Sequence, residues 1–171
     1  MLAIKGGLDK TESTGIELAA YLHDIGKTGM PEPILKKHEN LTLEEFEIMK
    51  AHTIKGAKIL EKGNSLLLNM ARTIALSHHE QWCGKGYPNG LSEENIPLLA
   101  RIVSIADAFD SLIFERTHKE SLNIYDIIAY YEKNKGVLFD PKLADIFVKD
   151  IDLFVRISEK YADGNIHLVH E

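Results

Sequence analysis

Apolar positions along this chain recur at intervals of three and four, and no sustained stretch alternates apolar with polar residues as a half-buried strand does. The pattern predicts an all-α fold. Ile16, Ala19, Ala20 and Leu22 place one helix over residues 14–25, which Gly26, Gly29 and Pro31 then stop, so His23 and Asp24 fall in its last turn. Thr42 followed three residues later by Glu45 has the spacing of a capping box. It opens a helix through Phe46 and Met49 to Ala51, with His52 at a break and a short helix over residues 53–61 beyond it. Another helix, over residues 66–76, delivers His78 and His79 to its end. Residues 82–90 hold Gly84, Gly86, Pro88 and Gly90 and read as an ordered surface loop, with Trp82 serving loop packing. Pro97 suits the first turn of the longest helix, over residues 97–114, and Asp107 and Asp110 are set into that apolar stretch. Helices over residues 124–132 and 141–148, the second capped by Asp140, and an amphipathic segment over residues 153–161 complete a bundle of about seven helices. No repeat, linker or charge block divides residues 1–171, so a single domain is expected.

Composition narrows the functional classes. Twenty Lys and Arg stand against 26 Asp and Glu, a net charge of −6, so the positive field needed to grip duplex nucleic acid or an anionic membrane is missing. Apolar runs stop at five residues, as in 18–22, far short of the roughly 20 that cross a bilayer. The single Cys83 excludes an intrachain disulfide, and residues 1–13 lack the pattern of an export signal; the cytoplasm is the expected location.

The chemistry sits in the histidines and aspartates. His23, Asp24, His52, His78, His79 and Asp107 each fall at an end or inside of a predicted core helix, where helix ends can converge. Neutral imidazoles and ionised carboxylates are ligands for iron, manganese or zinc, and a carboxylate such as Asp24 can bridge two cations. Asp107, in an apolar stretch, needs a partner to stay charged, and a metal or Arg101 would serve. Asp110 reads as a structural acceptor, and His38, His118, His167 and His170 as surface residues.

His-Asp-Ile-Gly-Lys at 23–27, His52, His-His-Glu at 78–80, Gly-Tyr-Pro at 86–88 and Ala-Asp-Ala-Phe-Asp at 106–110 occur in an order and spacing that resemble the HD-GYP family of HD-domain metal-dependent phosphohydrolases. The resemblance extends over residues 18–148, through Ala100-Arg101-Ile102, Arg116, Lys119 and Phe139-Asp140-Pro141. It implies a helical bundle that holds one or two divalent ions, iron or manganese favoured and zinc, nickel or magnesium possible. The implied substrate is a cyclic dinucleotide, cyclic di-GMP first, or another phosphate ester. His23, Asp24, His52, His78, His79 and Asp107 then match metal ligands, with Asp24 bridging and catalytic. Lys27 matches a catalytic lysine that meets a phosphate oxygen, and Arg116 and Lys119 match residues that hold the substrate; each alone could equally be an ordinary solvated side chain. Gly86, Tyr87 and Pro88 match the signature loop, which shapes one wall of the cleft and offers a surface to a protein partner.

Departures from the family pattern are Cys83 and Lys85 in the loop, Ser111, and Thr117-His118. Only 22 residues precede His23, and none is a His, so the helix that supplies a Glu and a His ahead of the HD pair in complete family members is expected to be missing. The Asp107 side would then lack one imidazole. Two other readings stay open: a catalytically degenerate sensor or docking module, favoured by the missing upstream His, and a phosphohydrolase for another nucleotide or ester, since the resemblance to HD-domain proteins does not fix the substrate.

Overall fold

The computed structural model describes residues 1–37, 39–117 and 124–162. Nine α-helices lie among them: α1 (Leu2–Lys5), α2 (Lys10–Ala20), α3 (Glu32–Leu35), α4 (Leu43–Leu60), α5 (Leu66–Ser77), α6 (Leu98–Thr117), α7 (Ile124–Asn134), α8 (Pro141–Lys149) and α9 (Ile151–Ala162). Short 3-10 turns at Ile25–Gly29 and Glu93–Asn95 complete the set. The all-α expectation holds, and the count exceeds seven because single-turn helices such as α1 and α3 carry too little periodicity to be read from sequence. Among the described residues, no helix is long and apolar enough to cross a membrane.

Two predicted boundaries are corrected. The first helix starts earlier and ends at Ala20, so His23 and Asp24 lie beyond it, in the turn that leads into Ile25–Gly29. Asp9, whose carboxylate accepts from the Glu12 backbone while Glu12 reaches back to the Asp9 N–H, sets that earlier start. The predicted break at His52 does not occur. α4 runs unbroken from its Thr42–Glu45 capping box to Leu60, with His52, Thr53 and Gly56 buried in its middle.

Gly56 is in that helix for a steric reason. The turn Ile25–Gly29 lies flat on α4, and a Cβ built on Gly26 would come within 1.9 Å of the His52 carbonyl oxygen and 2.5 Å of the Gly56 nitrogen. A Cβ on Gly56 meets the Gly26 nitrogen at 3.2 Å and the Ala75 methyl at 3.3 Å. Two glycines thus let backbone touch backbone, and that contact carries Asp24 to His52.

Around this seam α2, α5, α6, α7 and α8 bury one apolar cluster that includes Ile16, Ala71, Ile74, Ile105, Ile127 and Phe147. Tyr131 is fully buried within it, and its hydroxyl donates to the Ile105 carbonyl at 2.7 Å, which removes the penalty for burying a phenol. Arg101 near the start of α6 donates to Asp140 at 2.5 Å and to the Ile96 carbonyl at 2.9 Å. Asp140 in turn caps α8 through the Lys142 N–H at 2.8 Å. Arg101 therefore pairs with Asp140 and not with Asp107, and its guanidinium lies 5.8 Å from the Trp82 ring centroid.

The glycine seam gives a direct test. Gly26→Ala is expected to cost about 3 kcal/mol of unfolding free energy, because the new methyl can only be relieved by lifting the turn off α4. Urea denaturation followed by circular dichroism measures it, and an unchanged midpoint would contradict the contact.

Candidate metal centre

Four elements converge on one point. The turn after α2 supplies His23 and Asp24, the middle of α4 supplies His52, the end of α5 supplies His78 and His79, and α6 supplies Asp107. All six predicted ligand residues are brought together. Donor atoms of Asp24, His52, His78 and His79 lie within 4.8 Å of one another. The inner Asp24 oxygen, Oδ1, is 3.3 Å from His52 Nε2 and 3.8 Å from His78 Nε2. The outer oxygen, Oδ2, lies 3.3 Å from His23 Nε2 and 2.5 Å from Lys27 Nζ. His23 Nε2 is also 3.5 Å from Asp107 Oδ1.

Helix carbonyls orient three of the imidazoles. Nδ1 of His23 lies 2.8 Å from the Ala20 oxygen, Nδ1 of His52 2.7 Å from that of Met49, and Nδ1 of His78 3.0 Å from that of Ile74. Each contact requires a proton on Nδ1. In neutral His52 and His78 it leaves a lone pair on Nε2, aimed at the Asp24 carboxylate. Two buried imidazole lone pairs and a buried carboxylate oxygen then face one another, and among the described residues Asp24 Oδ1, His52 Nε2 and His78 Nε2 have no hydrogen-bond partner. Unpaired buried acceptors are costly, and three converging on one point need a cation between them. The donor set of imidazoles and carboxylates fits a divalent transition metal.

The protonation states agree with that geometry. Burial, followed by the neighbouring His23, pushes His78 down to about 4; burial, with His78 and His52 beside it, pushes His79 down to about 3. Both are neutral ligands at physiological pH. His23 is different. Burial alone would lower its pKa, but contacts to Asp107 and Asp24 outweigh burial and raise it from 6.5 to about 10. Asp24 and Asp107 remain well below the usual carboxylate range: burial opposes ionisation, but the His23 contacts prevail, joined at Asp24 by Lys27. A charged imidazolium thus sits between two carboxylates, where a second cation would also be stable. Burial, and then the Asp107 charge, raises Asp110, which lies with Glu17, Tyr21 and His23 along a recess of about 250 Å³.

The Gly-Tyr-Pro segment forms the wall over His79. The Tyr87 ring lies 4.8 Å from the His79 ring at an interplanar angle of 30°. Glu80, to which sequence reasoning assigned no role, is buried and anchors the loop, accepting from the Asn89 N–H at 2.8 Å and the Leu91 N–H at 2.9 Å. A carboxylate directly after two histidines and before a glycine-rich loop was the available signal. Lys27 stands at the rim with its ammonium about half exposed. Arg116 belongs to α6 by its backbone; Lys119 lies outside the described residues, as do His38, His118, His167 and His170.

A family model described as the HD domain matches residues 1–143. A cyclic di-GMP phosphodiesterase of Thermotoga maritima is 43% identical over 148 residues, which is 86% of this chain and 40% of that protein. A cyclic di-GMP phosphodiesterase response regulator of Xanthomonas campestris pv. campestris is 40% identical, over 87% of this chain and 39% of its own length. A 3'3'-cGAMP-specific phosphodiesterase of Vibrio cholerae is 38% identical, over 92% of this chain and 30% of its own. Among solved structures, an HDG"Y"P protein from Bdellovibrio bacteriovorus superposes with a TM-score of 0.66 at 25% identity, covering 88% of this chain and 48% of that one. The chain thus spans 30–40% of the length of these curated relatives.

The His23 proton makes cation uptake pH-dependent. Below pH 10 the imidazolium must lose its proton before Nε2 can ligate, so affinity on the Asp107 side is expected to rise about tenfold per pH unit from pH 7 to 9. His78 and His79, already neutral there, add no slope. Manganese titration in weak buffer, with the released acid measured, should return one proton for each ion bound at His23; no release would contradict the assignment.

Proposed function

The chain belongs to the HD-domain family, in its HD-GYP branch, and from that premise we propose that it is a metal-dependent phosphodiesterase of cyclic dinucleotides, with cyclic di-GMP as substrate. The observation that carries the reading is the trio of buried, unpartnered donor atoms Asp24 Oδ1, His52 Nε2 and His78 Nε2. His52, His78, His79 and Asp24 would hold one divalent ion, and His23, Asp24 and Asp107 a second, iron or manganese being favoured. Such ions supply Lewis acidity, lowering the pKa of a water from about 15.7 toward 7 and offsetting charge on phosphoryl oxygens.

The chain's own residues do the rest. Asp24 directs its two oxygens to different sets of partners, so a single carboxylate serves both cation positions. Lys27, at the rim beside Asp24 Oδ2, meets a non-bridging phosphate oxygen and stabilises the charge that builds there. Before a second ion binds, Asp107 and Asp24 offset the charge of protonated His23 and hold its ring in place. Tyr87 and His79 wall the cleft on one side. Arg116 and Lys119 orient the substrate's phosphate and base. A cluster rich in cations explains how a chain of net charge −6 accepts a dianion. A mixed cyclic GMP–AMP dinucleotide is the second substrate reading, favoured by the Vibrio cholerae relative specific for it. The same proposal takes the chain as one domain acting in the cytoplasm.

Protein purified without oxygen, analysed for metal and assayed on both dinucleotides, tests this. Hydrolysis stimulated by added iron or manganese is expected, and Asp24→Ala should abolish both metal content and turnover. Lys27→Met should keep the metal and lower kcat by about 10²- to 10³-fold. Metal-loaded protein that binds the dinucleotides without cleaving either would overturn the reading in favour of a docking module.

A further inference from the structure

His79 is held differently from its neighbours. His23, His52 and His78 each lean on a helix carbonyl through Nδ1. His79 comes one residue after the C-cap of α5, and among the described residues no helix carbonyl or other group hydrogen-bonds to its ring. Rings contact it instead: His78 at 4.0 Å, His52 at 5.1 Å and near perpendicular, and Tyr87 at 4.8 Å with its plane tilted by 30°. The first two are themselves donor residues of the centre. Tyr87 alone among them comes from outside it.

Tyr87 is held by contacts independent of a ligand, and the His52 ring meets it edge-on at 6.5 Å. Its N–H donates to the His79 carbonyl at 3.2 Å. The preceding Gly86 packs so closely on the 79–81 backbone that a Cβ there would lie 2.3 Å from the Gln81 nitrogen. Downstream, the buried Glu80 carboxylate grips the loop at Asn89 and Leu91. Away from His79, the Phe46 ring meets Tyr87 edge-on at 6.2 Å, and the Lys50 ammonium lies 5.6 Å from the Tyr87 centroid.

From these contacts we infer that Tyr87 is a positioning residue, which aims the His79 imidazole at the metal, and that Glu80 is the anchor that keeps Tyr87 there. The ring face does what a carbonyl does for the other three histidines. Residues that orient a ligating imidazole from outside typically account for 10- to 100-fold in metal affinity. The inference rests on the metal-centre reading and adds a function for the signature loop inside that centre.

A double-mutant cycle read by cobalt titration tests it. Chelator-treated protein is titrated with Co²⁺ without oxygen, following the visible absorption of the bound ion, with helix content checked by circular dichroism. Tyr87→Leu should weaken cobalt binding 10- to 100-fold and alter the spectrum, whereas Tyr87→Phe, which keeps the ring, should stay within about twofold of the parent. In a His79→Ala background Tyr87→Leu should have no further effect, because a residue that acts through His79 has nothing left to aim. An equal loss in that background, or no loss in the parent, overturns the positioning role while leaving the metal centre standing. A parent chain that takes up no cobalt overturns the inference together with the metal centre on which it rests.

Discussion

The centre of this molecule is organised by a carboxylate oxygen that has been taken out of water without receiving a hydrogen-bond donor. Asp24 Oδ1 faces His52 Nε2 and His78 Nε2, and none of the three finds a hydrogen-bond partner among the described residues. Left as they are, three acceptors around one point repel one another and forgo hydration, a state that folding alone does not favour. The helix carbonyls behind His52 and His78 maintain it by fixing which ring nitrogen carries the proton. The Gly26 and Gly56 seam maintains it by fixing where Asp24 stands. Stability has been traded locally for readiness to bind charge.

The two oxygens of Asp24 divide the site. The inner one belongs to a dry pocket with the buried imidazoles of His52 and His78; the outer one belongs to a wetter edge shared with His23, Lys27 and Asp107. Cations on the two sides would therefore differ in proton coupling and in access to solvent. The outer side also carries Lys27, whose ammonium is about half exposed.

Much of this was legible in the sequence, for reasons that also explain the failures. All six residues that converge at the centre could be named because imidazole and carboxylate at core-helix positions are conspicuous, and their order matched a family pattern. The capping box at Thr42 and the cap at Asp140 were legible because each is a local hydrogen bond between residues two or three apart. Tertiary partners were not. Arg101 and Asp107 are near in sequence, but six residues along a helix places them on different faces, and Arg101 found Asp140 across 39 residues instead. His52 looked like a break between two helices, yet α4 runs on through it, and Gly56 one turn later admits a neighbouring backbone, a demand invisible without knowing what packs against it. Glu80 stood in plain view beside two histidines, but its work is done on amides at 89 and 91, a loop closure that no periodicity encodes.

The packing of Tyr87 on His79 means that one aromatic side chain touches the donor cluster, at His79 and His52, and also Phe46 and Lys50 on α4. Linkage then runs both ways: any protein that shifts the loop alters ion affinity by some factor, and ion occupancy alters that protein's grip by the same factor. Occupancy of the centre can in this way be reported at the exterior without a moving domain.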